Sequence, residues 1–168
     1  CQHPAVDALV EQKACAAHDL GVRFHAELDV PADIQLPGVE LCAVFSNLLD
    51  NALNACAKSP DGCRIETTAR LWGMYLVIDV ENSYLGSRGQ GEASGRPSSG
   101  DAGSRRDAAS PFPDLSMSHG WGQGIVREVV RRHDGTFEAG VVDGVYRVRA
   151  ILKRDRAVRD GGDGEWNR

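Results

Sequence analysis

Asn47-Leu48-Leu49-Asp50-Asn51-Ala52-Leu53-Asn54-Ala55 is the stretch on which the reading of this chain turns. It lies within residues 39–58, where Leu41, Val44, Phe45, Leu48, Leu49, Ala52 and Cys56 recur at spacings of three and four, the pattern of an amphipathic helix. Alanine and leucine favour that helix. Asparagine does not, because its amide competes for nearby backbone groups. Yet Asn47, Asn51 and Asn54 form one polar stripe, since residues three and four apart are neighbours on a helix, and Asp50 stands beside them. Such a stripe can turn amide oxygens toward a cation that prefers oxygen ligands. A solvated helix face is the other reading of the same residues, and a second signal has to decide between them.

The bulk properties leave room for that signal within one domain. The chain has 168 residues, 42% of them hydrophobic and 26% charged, enough for a sizeable core and typical of a globular protein. A formal net charge of -5 argues against a nucleic-acid partner. No run approaches the roughly twenty apolar residues of a membrane-spanning helix. The opening CQHPAVDALVEQKA reads as a polar helix rather than a signal peptide. The chain does not begin with Met and reads as a piece of something longer. Cys1, Cys15, Cys42, Cys56 and Cys63 are odd in number and irregular in spacing, without a CxxC, so neither a disulfide framework nor a zinc site is expected. Cys42 and Cys56 are expected to pack as small hydrophobes, in a reducing compartment.

Along the chain, Pro4 starts a helix that ends near Gly21, with Val6, Leu9, Val10 and Ala17 as its apolar stripe. A strand comes next over 22–30, stopped by Pro31. After the asparagine helix, Ser59-Pro60-Asp61-Gly62 is a turn. Ile65, Thr67, Ala69 and Leu71 then alternate with Arg64, Glu66, Thr68 and Arg70, a half-buried strand. Trp72-Gly73 reads as a hairpin connection into 74–80, an apolar central strand. Residues 85–118 are rich in Gly, Ser, Arg and Asp and hold little to bury, and 86–110 are expected to stay mobile. The chain beyond residue 118 is too short to be a domain: a helix at about 123–133 and two strands joined through Asp143-Gly144, a tight-hairpin turn. These elements need the first half for a core, so the polar segment is an insertion within one domain. The expected fold is α/β, a two-layer sandwich whose mixed, mostly antiparallel sheet is covered on one face by helices.

The second signal is His119-Gly120-Trp121-Gly122-Gln123-Gly124-Ile125, at the junction between the polar segment and the last helix. Glycines there let a backbone approach an anion closely, and the helix start offers N–H groups and a positive dipole end to phosphate. The spacing fits neither the dinucleotide fingerprint nor the P-loop.

In this order the pieces resemble the ATP-binding domain of sensor histidine kinases, within the GHKL group. Asn47 to Ala55 looks like the N box. Val80-Glu81-Asn82-Ser83-Tyr84 stands where the G1 box belongs, and His119 to Gly135 looks like the G2 box with its helix. The short interval to Asp134-Gly135 and the absence of G1 glycines look like the subgroup that senses peptide pheromones. The resemblance covers about residues 1–153. It implies the GHKL ATP-binding fold with residues 86–118 as a flexible ATP lid. Residues 1–20 would be the end of a dimerisation hairpin or a linking helix, 21–154 the catalytic domain, and 155–168 a charged tail.

The resemblance also implies cofactors and roles. ATP and Mg²⁺ would be bound, with Asn51 coordinating the metal on the phosphates and Asn47 next to it. Asn54 and Lys58 would stand on the phosphate side. Asn82 would take the adenine contact, and Gly120, Gly122 and Gly124 the phosphates. Asn47 replaces the water-activating Glu of hydrolysing relatives, as suits a kinase. Asn82 replaces the usual Asp, which implies weaker binding, and Gln123 replaces an apolar residue. Phe112, Leu115, Met117 and Trp121 would clamp over the adenine side, or Trp121 would pack on the sheet. His3, His18 and His25 lack an acceptor-box pattern, so the phosphoacceptor His is expected on a hairpin outside this fragment. The implied partners are that hairpin, a response regulator and, in the full-length protein, a second copy; the implied place is the cytoplasmic side of a membrane-anchored bacterial sensor. Two alternatives stay open: a degenerate domain used to dock a partner, and an anti-sigma-type serine kinase.

Overall fold

The computed structural model describes residues 1–58, 62–83 and 121–154. The expectations for 86–118, for the tail at 155–168, for Gly120, Phe112, Leu115 and Met117, and for the ring of Trp121 lie outside that description. Three helices and five strands run in the order α1 (Pro4–Asp19), β1 (Arg23–Leu28), α2 (Gly38–Ala57), β2 (Arg64–Trp72), β3 (Tyr75–Ser83), α3 (Trp121–Arg132), β4 (Thr136–Val142) and β5 (Val145–Lys153) among the described residues.

The strands form one sheet in the order β1-β2-β3-β5-β4. Only β1 and β2 run parallel, because the chain crosses between them through α2; the other neighbours are antiparallel. The sheet is mixed and mostly antiparallel, as the alternation in β2 and β5 predicts. Two hairpins fix its register. Asp143 and Gly144, both at positive φ (50° and 74°), make the tight turn between β4 and β5. The β2–β3 turn is Gly73-Met74 rather than Trp72-Gly73: Trp72 still pairs with Tyr75, and Gly73 takes the positive φ of 59°.

One face of the sheet carries the core. Ile65, Thr67 and Ala69 of β2, Leu76, Ile78, Val80 and Asn82 of β3, and Val148, Ala150 and Leu152 of β5 are all buried. Onto them pack Leu41, Val44, Phe45, Leu48, Leu49 and Ala52 of α2, Val126, Val129 and Val130 of α3, and Val6, Val10 and Ala17 of α1. Both α1 and α3 pack against α2. The other face neutralises its own charges: Arg149 binds Asp79 at 2.7 Å and Arg147 binds Glu81 at 2.6 Å. Asp79, its carboxylate hydrogen-bonded by Arg149, in turn keeps the guanidinium charged more firmly than usual.

Three local features depart from or sharpen the sequence reading. Cys56 packs in the core as expected, 0% exposed, but contrary to expectation it is also bonded to Cys63, since the last turn of α2 and the start of β2 bring their Cα atoms to 5.7 Å. Gly135 sits so close to β5 that a Cβ there would lie against the Ile151 carbonyl oxygen, which explains a glycine at the exit of α3. His3 is the N-cap of α1, its Nδ1 accepting from the Val6 N–H at 3.3 Å. Among the described residues no helix is long and apolar enough to cross a membrane.

Candidate functional site

The geometry of α2 and α3 sets up the site. The start of α2 meets the end of α3: Glu40 Oε2 lies 2.5 Å from His133 Nε2, and Glu40 Oε1 accepts from Arg132 at 2.8 Å. The hydrogen bond from His133, with help from Arg132, holds the Glu40 carboxyl below the usual glutamate range. Two turns on, the middle of α2 meets the start of α3, where a Cβ on Gly122 would come within 2.8 Å of Asn47 Oδ1. The helices are therefore antiparallel. The N-terminus of α3, with a positive dipole end and first-turn N–H groups that have no partner within the helix, lies beside the asparagine stripe.

Asn47 is half-buried and locked in place, its Nδ2 donating to the Ala43 carbonyl at 2.6 Å. One turn further along lies Asn51, also half-buried; among the described residues its side chain makes no hydrogen bond. Asn54 and Lys58 come next on the same stripe and are exposed. Asp50, read from sequence as a neighbour of the stripe, is turned to α1 instead: it takes a 2.7 Å ion pair from Lys13 and a 3.0 Å hydrogen bond from Ser46. The stripe thus presents neutral amides rather than a carboxylate. Among the described residues no group of three His, Cys, Asp or Glu is placed to hold a metal ion.

Gly122 and Gly124 lie in the first turn of α3, which begins two residues before the sequence pattern suggests. Gly122 fits because Asn47 occupies the space a side chain would need, whereas Gly124 is exposed and faces open space. Gln123 between them reaches back to the sheet, its Nε2 donating to the Tyr146 hydroxyl at 3.0 Å.

Tyr146 pairs across the sheet with Asn82. Asn82 is 3% exposed, on the face that the helices cover, and its Nδ2 donates to the Ser83 carbonyl at 3.0 Å. That bond fixes the amide, leaving Oδ1 as the group available to accept. On β2, Thr67 is fully buried on the same face, and its Oγ1 has no hydrogen-bond partner among the described residues. Thr67 lies opposite Val80, one same-face step from Asn82. Sequence reasoning found Asn82 but neither Thr67 nor Tyr146. Their only signals were a hydroxyl at an inward position of β2 and a phenol at an inward position of β5.

The site residues named from sequence therefore fall into two groups that α3 connects. Asn47 and Gly122 are in contact, and Asn51 lies one turn beyond. Asn82 belongs to the sheet floor, linked to the α3 start through Tyr146 and Gln123. Dipole, amides and a buried polar floor suit a polyanion carrying a heterocycle.

Known proteins share this fold. A family described as the GHKL domain matches residues 36–152. No curated protein matches the chain. Among solved structures, the nucleotide-free catalytic domain of the histidine kinase ThkA is 14% identical and aligns over 90% of both chains with a TM-score of 0.62. The mycobacterial sensor histidine kinase MprB is 18% identical, over 91% of this chain and 96% of that one, with a TM-score of 0.57. A histidine kinase from Burkholderia phymatum is 14% identical, over 91% of this chain and 68% of that one, with a TM-score of 0.62.

Proposed function

From the premise that this chain belongs to the GHKL domain family, we propose that it is the ATP-binding catalytic domain of a two-component sensor histidine kinase. The observation that carries the proposal is the contact between Asn47 and Gly122, which joins the asparagine helix to the glycine-lined start of α3. The fit to Mg²⁺–ATP rests on this chain's own groups. Magnesium keeps several waters and takes few protein ligands besides substrate phosphates, so one or two amide oxygens suffice and no acidic cage is needed. The unengaged Asn51 amide, with Asn47 beside it, would hold the metal; the N–H groups of Gly122 and Gly124 would hold phosphate; Asn54 and Lys58 would flank it. Asn82 Oδ1 would accept from the base. Bound there, Mg²⁺–ATP supplies a phosphoryl group whose transfer depends mostly on positioning and charge neutralisation.

Asn47 cannot act as a base, so the site spares ATP from water and reserves it for a protein acceptor. That acceptor would be a His on a dimerisation hairpin of the same protein, from which the phosphoryl group passes to a response regulator. His3 caps α1, which supports placing the acceptor elsewhere. The packing of α1 into the common core supports counting it with the ATP-binding unit. The altered G1 segment at Asn82 and Ser83 supports the peptide-pheromone-sensing subgroup, in a domain held at the cytoplasmic side of a membrane-anchored sensor.

Calorimetry with a non-hydrolysable ATP analogue and Mg²⁺ tests the reading. Binding by the wild type and its loss in Asn51→Ala is the expected result. Equal binding by both proteins overturns the role of Asn51, and no binding by either overturns the function.

A further inference from the structure

The disulfide between Cys56 and Cys63 joins the two walls of the proposed nucleotide site. Cys56 lies in the last turn of α2, five residues beyond Asn51 and two before Lys58. Cys63 lies at the entry to β2, where the backbone N–H of the next residue, Arg64, donates to Ser83 Oγ at 3.2 Å and the adjoining Ile65 pairs with Asn82. One covalent link thus runs from the amide helix to the strand that abuts the base contact. Beyond the buried Leu53 and Cys56, the end of α2 is open to solvent. Ala57, Lys58 and Gly62 are exposed. The C-cap position carries no glycine.

Disulfides in a reducing cytoplasm are characteristically transient or redox-sensing rather than structural. We infer that Cys56–Cys63 is a reversible redox site, exchanging with a dithiol carrier, through which thiol status sets nucleotide affinity. This rests on the ATP-binding reading above. In the reduction, a dithiol attacks the S–S bond and leaves as its own disulfide. It delivers two electrons and two protons, and Cys56 and Cys63 become thiols. The reverse step passes the same electrons and protons to a low-molecular-weight disulfide, which is released as two thiols. Both sulfurs belong to buried residues, 0% and 2% exposed, so exchange proceeds when the last turn of α2 frays. Reduction releases the last turn of α2, with Asn54 and Lys58, from the β2 entry. The hydrophobic face of α2 keeps its middle, and Asn47, in place.

The test compares oxidised protein, dithiothreitol-reduced protein and Cys56→Ala/Cys63→Ala. Alkylation and mass spectrometry establish the state of the pair in each. Binding of the ATP analogue should be weaker in the reduced protein by about fivefold or more, the lower end of typical coupling between two sites. The double variant should match the reduced protein and ignore dithiothreitol. Hydrogen exchange should show lost protection in residues 53–58 and 64–66 on reduction, with residues 41–49 unchanged. Equal affinity in both states of the wild type overturns the inference, as does alkylation of Cys56 and Cys63 without prior reduction. If no state binds nucleotide, the kinase reading fails instead; unchanged exchange at 53–58 then refutes the redox site on its own.

Discussion

The amide oxygen of Asn47 occupies the space that a side chain at Gly122 would need, 2.8 Å from where its Cβ would stand. The two residues are far apart in sequence, and their contact brings the asparagine helix α2 against the glycine-lined start of α3. Asn47 cannot easily yield, because its Nδ2 is bound to the Ala43 carbonyl at 2.6 Å.

Gly122→Ala therefore sets two effects against each other. Alanine in a helix is worth about 1 kcal/mol over glycine. Displacing the Asn47 amide costs its hydrogen bond, roughly 1 kcal/mol. Unfolding midpoints should be nearly unchanged in the single variant. In an Asn47→Ala background the same change should stabilise by about 1 kcal/mol, since only the propensity term remains. Additive effects in that double-mutant cycle would disprove the contact.

Thr67 is a buried hydroxyl without a partner among the described residues, at 0% exposure. An unsatisfied buried polar group costs about 1–3 kcal/mol, and valine has nearly the same shape. Thr67→Val should raise the midpoint of thermal unfolding by a few degrees, for a gain of about 1 kcal/mol. A lower midpoint in differential scanning calorimetry would show that the hydroxyl is satisfied in solution.

The helices and strands were legible because their periods were unmixed. α2 repeats at three and four, and β2 and β5 alternate, so burial followed pattern. That the asparagine helix and the glycines of α3 share one site was implied only by the resemblance, and the contact of Asn47 with Gly122 was not legible at all, because nothing local tells a helix which neighbour it will meet. Asp50 misled for the same reason: whether it faced the stripe or Lys13 depended on which side α1 would pack. The bond between Cys56 and Cys63 was obscured by an odd cysteine count; it depends on the last turn of α2 lying beside the start of β2. Thr67 and Tyr146 are single polar residues at inward positions, and their meaning appears only once adjacent strands bring them near Asn82.

Glu40 supplies a pH dependence whose sign is fixed by the direction of its shift. Its folded-state carboxyl titrates below the ordinary value of 4.5, first because of the hydrogen bond from His133 and further because of Arg132. A depressed carboxyl adds stability above its unfolded value and loses it as pH falls through the folded one. The wild type should exceed Glu40→Gln by about 1 kcal/mol near pH 6, as for a partly exposed charge-assisted pair. The gap should close below pH 4.5, where the unfolded carboxyl takes up its proton. Urea denaturation from pH 3 to pH 7, stepped at about half a unit, reads this directly. A gap that does not narrow at all between pH 6 and pH 3 would assign the stabilisation to packing rather than to the charge.

Asn82 tests how the base is held. Its Nδ2 donates to the Ser83 carbonyl, and the residue is only 3% exposed. Asn82→Asp exchanges that donor for an oxygen facing a carbonyl, while burial disfavours the new charge. The nucleotide-free protein should lose about 1–3 kcal/mol of stability, the cost of a buried polar group that has lost its partner. Against that, a carboxylate accepts more strongly than an amide, roughly doubling the strength of a hydrogen bond from the base. The ATP analogue should therefore raise the unfolding midpoint of Asn82→Asp by more than it raises that of the wild type. Asn82→Leu, which cannot accept at all, should show the smallest ligand-induced rise. Thermal shift across an analogue titration separates the three proteins. An identical rise in all of them would mean that the base is held by groups other than the residue-82 side chain.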